Sequence, residues 1–494
     1  MRNQHGNLSK TRLMSARQCL KRLFLEVHRP ELAVVPPQTL AAFATGNEVG
    51  EIARKIYGGA HSVLIPYAGG LSHAVRKTER LLKDAVRLPI FEATLSFGGV
   101  LVRLDALLPD EASDSWRIVE VKSSTSLKEE HLFDCAVQSW AFLGLGYRQS
   151  RISLAHVDNQ FVYQGNEDYF GLLNEVDVTD AVAALVPLVP EWVRSARDAV
   201  RGDEPQIAVG AQCNTPYDCP FIGHCWPDGP YAVQTLPRAS KAKAGRWIAG
   251  GIRDLRLLPA GELNEKQRRV QAICCNGVAE LLPGAARFVA GLAYPRYYLD
   301  FETVSPGVPR WAGTRPYEVL PVQWSCHYES AAGQLRHAEF LDLSGVPPMR
   351  RVAESLIRVL GKEGPILTYS GFERRVIDGL RERFPDLAVS LAAVLPRLVD
   401  LLPVVEQNYY HPAMAGSWSL KNVVPCIASD LKYEDLSGIQ EGTAASEGYL
   451  EAIASTTSEP RREQLREQLL AYCRYDTEAM VRLVQFFSAG ADPG

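Results

Sequence analysis

Tyr298-Leu299-Asp300-Phe301-Glu302-Thr303 reads as a hydrophobic strand with acids at alternate positions. Successive side chains of a strand point to opposite faces, so Asp300 and Glu302 share one face while Phe301 packs on the other. Isolated carboxylates are costly to bury, and a strand carrying two of them calls for cations. The strand is expected over 297–301, in an α/β region that begins at Tyr294. Further strands are expected near 319–327 and 366–369, with helices over 347–361, 372–384 and 462–487. On the last of these helices lies Tyr472-Cys473-Arg474-Tyr475-Asp476-Thr477, where Tyr472 and Asp476 stand at i and i+4 and fall on one side.

Asp-x-Glu on a first strand and Tyr-x3-Asp on a last helix resemble the DEDDy 3′-5′ exonucleases of the ribonuclease H-like fold. The resemblance implies a further acid after an aromatic residue at a strand end, and Tyr369-Ser370-Gly371-Phe372-Glu373 offers Glu373 there. Members of that group carry Asn where this chain has Tyr369, and the shorter Asp in place of Glu373. It also implies that Asp300, Glu302, Glu373 and Asp476 hold two Mg²⁺ or Mn²⁺ ions about 4 Å apart, and that Tyr472 positions the attacking water. Asp400, followed by Leu401-Leu402 and then Ser417-Trp418-Ser419-Leu420-Lys421, resembles another region of the same enzymes, with a structural role expected for Asp400. Arg315-Pro316-Tyr317-Glu318 and Pro321-Val322-Gln323-Trp324-Ser325 are similar to a bacterial family described as a domain of unknown function fused behind a RecB-like nuclease.

Upstream, two β-prone runs, 90–97 and 100–107, flank Gly98-Gly99, which signals a hairpin. Asp105 sits near the end of the second run. A third strand, 116–122, ends in Glu120-Val121-Lys122, whose Glu120 and Lys122 project from one face. Two carboxylates and a lysine at one sheet edge suit an oxygen-preferring Mg²⁺ or Mn²⁺ ion, with the lysine orienting water or steadying charge on phosphorus. A helix over 129–145 follows, carrying Gln138-Ser139-Trp140-Ala141-Phe142. Asp…Glu-x-Lys with that helix resembles the RecB-type branch of the PD-(D/E)XK nucleases, although Phe142 replaces the usual Tyr. The metal-binding His of that branch is missing: Gly46-Asn47-Glu48-Val49 is followed by Gly50, leaving Glu48 or Glu51 as substitutes.

Of the chain's 10 cysteines one group is tightly spaced, Cys213-x5-Cys219-x5-Cys225, in a Pro- and aromatic-rich loop. Three clustered thiols in a loop have no packing purpose and point to metal binding. With Cys19 far upstream, they resemble the iron-sulfur staple of RecB-like exonucleases. The resemblance implies a [4Fe-4S] cluster held by Cys19, Cys213, Cys219 and Cys225, ahead of zinc. The other cysteines, Cys135, Cys274, Cys275, Cys326, Cys426 and Cys473, are expected to be small core hydrophobes.

At 494 residues and 46% hydrophobic content the chain is long enough for at least two folded domains. The expected division is a PD-(D/E)XK restriction-endonuclease-like domain over 1–232, a basic helical connector over 233–285, and a ribonuclease H-like domain over 286–494. An Ala/Ser/Glu-rich stretch near 441–459 reads as a loop. No apolar run reaches membrane-spanning length and the N-terminus is polar, so a cytoplasmic protein without a membrane partner is expected. Net charge is -4, which excludes a uniformly basic nucleic-acid binder. Basic residues nevertheless collect over 1–30 and 236–270, faces that would suit phosphates. The expected function is a divalent-metal-dependent nuclease, exonucleolytic on single-stranded DNA, in repair, recombination or defence. A nucleic-acid-binding module with one or both sites inactive and an RNA 3′-exonuclease are the alternatives.

Overall fold

A computed structural model of the chain describes residues 8–59, 61–84, 87–110 and 112–490. It is a mixed α/β structure with two compact units: Met1–Trp226 with Pro306–Tyr317, and Pro227–Ser305 with Glu318–Gly494. The stretch 233–285, read from sequence as a connector, falls in the second unit. Residues 306–317, assigned from sequence to the C-terminal domain, cluster with the first, because Val308 is buried with Val49 and Ile52 and Gly313 N–H donates to the Tyr163 carbonyl at 2.7 Å. Among the described residues, no helix is long and apolar enough to cross a membrane.

The first unit is built on a sheet of β1 (Leu8–Ser9), β2 (Val63–Leu64), β3 (Ile90–Phe97), β4 (Val100–Asp110), β5 (Ser115–Lys122), β6 (Gln149–Val157) and β7 (Leu173–Asp177). Their order is β2-β3-β4-β5-β6-β7, with β1 paired to β4. β3, β4 and β5 form an antiparallel meander, and β6 then runs parallel to β5. Gly98 and Gly99 turn the first hairpin at φ 53° and 71°, the left-handed pair that a two-residue hairpin turn requires. Helix Glu129–Gly144 makes the crossover from β5 to β6, and its Cys135, Ala136, Ala141 and Phe142 are buried in one core with Leu95, Leu104, Ile118 and Ile152. Helices Lys10–Gln18 and Leu20–His28 are separate because Cys19 between them is extended at φ -164° and ψ 119°.

The second unit contains β8 (Glu280–Leu281), β9 (Arg296–Val304), β10 (Leu320–Glu329), β11 (Leu335–Leu341), β12 (Ile366–Thr368), β13 (Leu398–Asp400) and β14 (Tyr409–Tyr410). Its main sheet has the order β11-β10-β9-β12-β13, antiparallel across β11, β10 and β9 and parallel across β9, β12 and β13. The central β9 is therefore where pairing switches, and the carboxyl ends of three parallel strands open on one side, the usual place for a site in such sheets. Helix Glu459–Ala489 packs on this sheet. Three side chains from one face of β10 fasten it: Gln323 donates to the Leu469 carbonyl at 2.8 Å, and Ser325 and His327 each lie 2.8 Å from the Thr477 hydroxyl.

The loop expected near 441–459 is instead mostly the helix Gly442–Ala452. Its small residues disguised a helical spacing: Ala445, Gly448, Tyr449 and Ala452 are buried against helix Glu459–Ala489 and its surroundings.

Candidate metal centres

In the second unit β9 lies between β10 and β12, and β12 pairs with it only at Tyr297 and Tyr298. Asp300 and Glu302 thus lie beyond the end of β12, where the chain turns from Thr368 into helix Phe372–Arg383. Ser370 takes a left-handed backbone, φ 114°, at this turn. Asp400 holds it, with Oδ1 accepting from the backbone N–H groups of Ser370 and Leu402, both at 2.9 Å. The structural role expected of Asp400 is seen in these bonds, and the turn places Glu373 in the first turn of its helix, 2% exposed. One carboxylate oxygen of Glu373, Oε2, is buried with no hydrogen-bond partner.

Asp300 lies near enough to Asp476, Glu302 and Glu373 to feel the charge of each. Burial, then the negative charge of Asp476, Glu302 and Glu373, pushes the Asp300 carboxyl well above the usual range. Glu302 is raised well above its usual value by burial and then by Asp476. Burial lifts Glu373 to about 7, with Asp400 and Asp476 adding to it, and lifts Asp476 to about 6 against the pull of Tyr433 and Lys421. Buried like charges cannot all ionise unless cations join them. Together with the orphaned Glu373 oxygen, this donor set fits hard divalent ions.

Around the acids stand residues that the sequence reading did not assign to the site. Cys473, expected to be an ordinary core thiol, has Sγ 3.6 Å from Asp300 Oδ2. Among the described residues, Asp300, Glu302 and Cys473 form the group of three whose donor atoms lie within 4.8 Å of one another. The hydroxyl of Tyr433 donates to Asp476 Oδ1. Lys421 lies 5.3 Å from the Tyr433 ring centroid and 5.5 Å from that of Tyr472, and its charge pulls down both Glu302 and Asp476. The Ser-Leu-Lys run pointed to Lys421, whereas no local signal marks Tyr433. Tyr472 is buried, and burial followed by the charges of Asp476, Glu302 and Asp300 keeps its phenol protonated.

In the first unit, the register that pairs Ala106 with Val119, continued by one step, sets Asp105 opposite Glu120. Asp105 Oδ2 accepts the Val121 N–H at 2.7 Å. Glu120 Oε1 accepts from both Lys122 Nζ and Lys10 Nζ at 2.7 Å, while Gln138 donates to Oε2. Lys122 also reaches Asp134, which stands one turn before Gln138 on helix Glu129–Gly144. Burial and then the Glu120 charge push Asp105 up to about 8. Burial would raise Glu120 too, but Lys10 and Lys122 outweigh it and hold the carboxylate below its usual range. Neither early acid joins this cluster through a contact: Glu48 meets Arg310 at 3.3 Å, and Glu51 lies 3.7 Å from Arg54.

Cys19, Cys213, Cys219 and Cys225 line one cavity with Lys21, Arg22, Leu25, Ile207 and Phe221 among its walls. Gln18 ties the two chain segments together by donating to the carbonyls of Gln212 at 2.7 Å and Tyr217 at 2.6 Å. His224 is engaged by Glu204 at 3.1 Å. Burial raises the Cys225 thiol to about 11, although Lys21 opposes the shift. Among the described residues, these thiols do not form a group of three with donor atoms within 4.8 Å of one another.

Many residues of the basic segments are engaged by other groups of the same chain. Arg17 lies over the Phe133 and Trp192 rings at 4.5 and 4.4 Å, and Lys21 pairs with Glu204. In the second unit, Lys266 pairs with Glu406, Arg268 donates to the Leu263 carbonyl, and Arg269 pairs with Glu280. Arg2 lies outside the described residues. Cys275 is exposed rather than in the core as expected.

Residues 297–419 match a family model described as "Domain of unknown function (DUF2779)". That stretch includes Asp300, Glu302, Glu373 and Asp400 and stops before Tyr472 and Asp476. Among solved structures, one titled "Crystal structure of SSO0001" is similar at 16% identity, over 44% of this chain and 86% of that chain, with a TM-score of 0.26. A likeness that faint carries no argument about fold. No curated protein matches the chain.

Proposed function

We propose that this protein is a divalent-metal-dependent nuclease whose working site is the acidic cluster of the second unit. The carrying observation is that Asp300 lies near enough to Asp476, Glu302 and Glu373 to feel their charge, while one buried oxygen of Glu373 has no hydrogen-bond partner. The strand order β11-β10-β9-β12-β13, with acids on the central strand and on the last helix, supports a ribonuclease H-like reading of that unit. Divalent ions held by these acids would supply a Lewis acid and lower the pKa of bound water. Asp300 and Glu302 offer ligands from a rigid central strand, and Asp476 from a helix that β10 fixes in place. Tyr433 orients the Asp476 carboxylate, and Tyr472 stays a protonated donor able to position water beside the phosphodiester. Single-stranded DNA is the proposed substrate, cut from a 3′ end.

For the first unit, the antiparallel meander followed by a helical crossover to a parallel strand, with Asp105, Glu120 and Lys122 at one edge, supports a PD-(D/E)XK reading. The four cysteines around one cavity support an iron-sulfur staple there. A cluster would join Cys19 to a loop roughly 200 residues away and remove much of the unfolded chain's freedom.

The test is degradation of 5′-labelled single-stranded DNA and RNA with Mn²⁺ by the wild type and by Asp300→Asn. The expected outcome is stepwise shortening of DNA that Asp300→Asn abolishes. Undiminished shortening by Asp300→Asn would refute the assignment, and shortening of RNA alone would move the substrate to that polymer.

A further inference from the structure

Glu120 has two carboxylate oxygens, and three donors already take them. Lys10 Nζ and Lys122 Nζ both stand 2.7 Å from Oε1, and Gln138 Nε2 bonds Oε2. The side chain is 2% exposed, so no solvent-facing side remains for another partner. Lys122 and Gln138 belong to the motifs that suggested a metal site, but Lys10 does not.

The backbone brings Lys10 to this place. β1 pairs with β4 at Leu8↔Val100 and Ser9↔Leu101, and the Ser9 hydroxyl caps the next helix by accepting the Arg12 N–H at 3.2 Å. Lys10 is the first residue of that helix. Its ammonium is thus delivered by a paired strand and a capped helix, and Asp134 lies 3.9 Å away on the other side. Three carboxylates, Asp105, Glu120 and Asp134, are met by two ammonium groups. A divalent ion bridging Asp105 and Glu120 would have to displace Lys10 from Oε1, and of the early-helix acids Glu48 meets Arg310 while Glu51 is mostly exposed, 3.7 Å from Arg54.

We propose that Lys10 is the resident cation of this cluster: an internal ammonium takes the place of a divalent ion, and the first unit binds neither Mg²⁺ nor Mn²⁺ at Asp105 and Glu120. The inference rests on reading Asp105, Glu120 and Lys122 as a nuclease-type cluster, and it assigns metal-dependent cleavage to the second unit alone. Lys10 acts here as an ion-pair partner, charged without any bound metal.

The experiment counts Mn²⁺ bound to the full-length protein by electron paramagnetic resonance. Asp300→Asn/Asp476→Asn first removes the second unit's ions, and a count unchanged by that pair would refute the proposed function without touching this inference. In that background the expected count with Lys10 intact is zero. Adding Lys10→Gln is expected to raise it to one, and adding Asp105→Asn to return it to zero. Lys10→Met, similar in length and uncharged, is expected to bind one as well and serves if Lys10→Gln fails to fold, whereas Lys10→Arg, which keeps the charge, is expected to bind none. One Mn²⁺ bound with Lys10 intact and lost in Asp105→Asn would overturn the inference, as would a folded Lys10→Gln protein that binds none.

Discussion

Asp300 on β9 and Cys473 on the last helix meet with Oδ2 and Sγ 3.6 Å apart, so the strand and the helix that carry the acidic cluster are in direct contact. The thiol is 0% exposed, and Asp476 lies on the same helix three residues on. Without cations the acids around this contact crowd buried negative charge, and its cost can be measured.

Asp476→Asn should stabilise the cation-free protein at pH 8 by roughly 1–3 kcal/mol, since one pKa unit is worth about 1.4 kcal/mol. The sign follows from proton binding. Asp476 has its ordinary value of 3.8 in the unfolded chain and about 6 when folded. Above pH 3.8 the folded protein holds the extra proton, so stability falls as pH rises toward 6 and stays low beyond it. The gain from Asp476→Asn should therefore be much smaller at pH 4 than at pH 8. Urea denaturation in EDTA, comparing variant with wild type at each pH, cancels the opposing contribution of His327 and His337, which burial lowers to about 4. A gain that is the same at both pH values would contradict the charge crowding.

Mn²⁺ should raise the melting temperature of the wild type but not that of Asp300→Asn/Asp476→Asn. A ligand at 100 times its dissociation constant stabilises by about 2.7 kcal/mol. Differential scanning calorimetry with and without Mn²⁺ reads the effect, and an equal shift in both proteins would place the ions elsewhere.

Tyr472→Phe should lower kcat about 100-fold while leaving KM near its wild-type value, the pattern of a group that acts on water rather than on substrate binding. Tyr433→Phe removes the donor to Asp476 and should weaken Mn²⁺ binding as well as turnover. Steady-state kinetics on labelled single strands separates the two, and a KM effect alone for Tyr472→Phe would assign that residue to substrate binding.

Cys219→Ser should abolish visible absorbance of the purified protein and lower its melting temperature, because a cluster held by the four thiols would join two segments that Gln18 otherwise bridges with two hydrogen bonds. Metal analysis showing zinc at one equivalent and no iron would replace the cluster by zinc.

Gly448→Val should destabilise by roughly 1–3 kcal/mol, the usual cost of overpacking. A Cβ there would stand 2.8 Å from Ile439 Cδ1 and 3.4 Å from Leu465 Cδ2. Thermal denaturation checks it, and an unchanged melting temperature would mean that this helix does not pack as described.

Residues whose meaning lies in local periodicity were readable from sequence. Asp300 and Glu302 share a face because a strand alternates, and Tyr472 and Asp476 share one because a helix repeats. Glu120, Lys122 and Gln138 likewise follow from a strand and the helix after it. What stayed hidden depends on packing between distant segments. Lys10 reaches Glu120 only because β1 pairs with β4, and Tyr433 reaches Asp476 from a short turn that carries no periodic signal. The helix Gly442–Ala452 was missed because alanine, serine and glycine make a weak apolar stripe, which becomes a face only when a neighbouring helix approaches closely. Cys473 looked like packing because its neighbour Asp300 lies far away in sequence.

The most direct measurement is anomalous diffraction from crystals of the full-length protein soaked in Mn²⁺. Anomalous peaks bounded by Asp300, Glu302, Glu373 and Asp476 are the expected result. Well-ordered carboxylates at those four positions with no peak between them, at Mn²⁺ concentrations that support cleavage of single-stranded DNA, would contradict the proposed function.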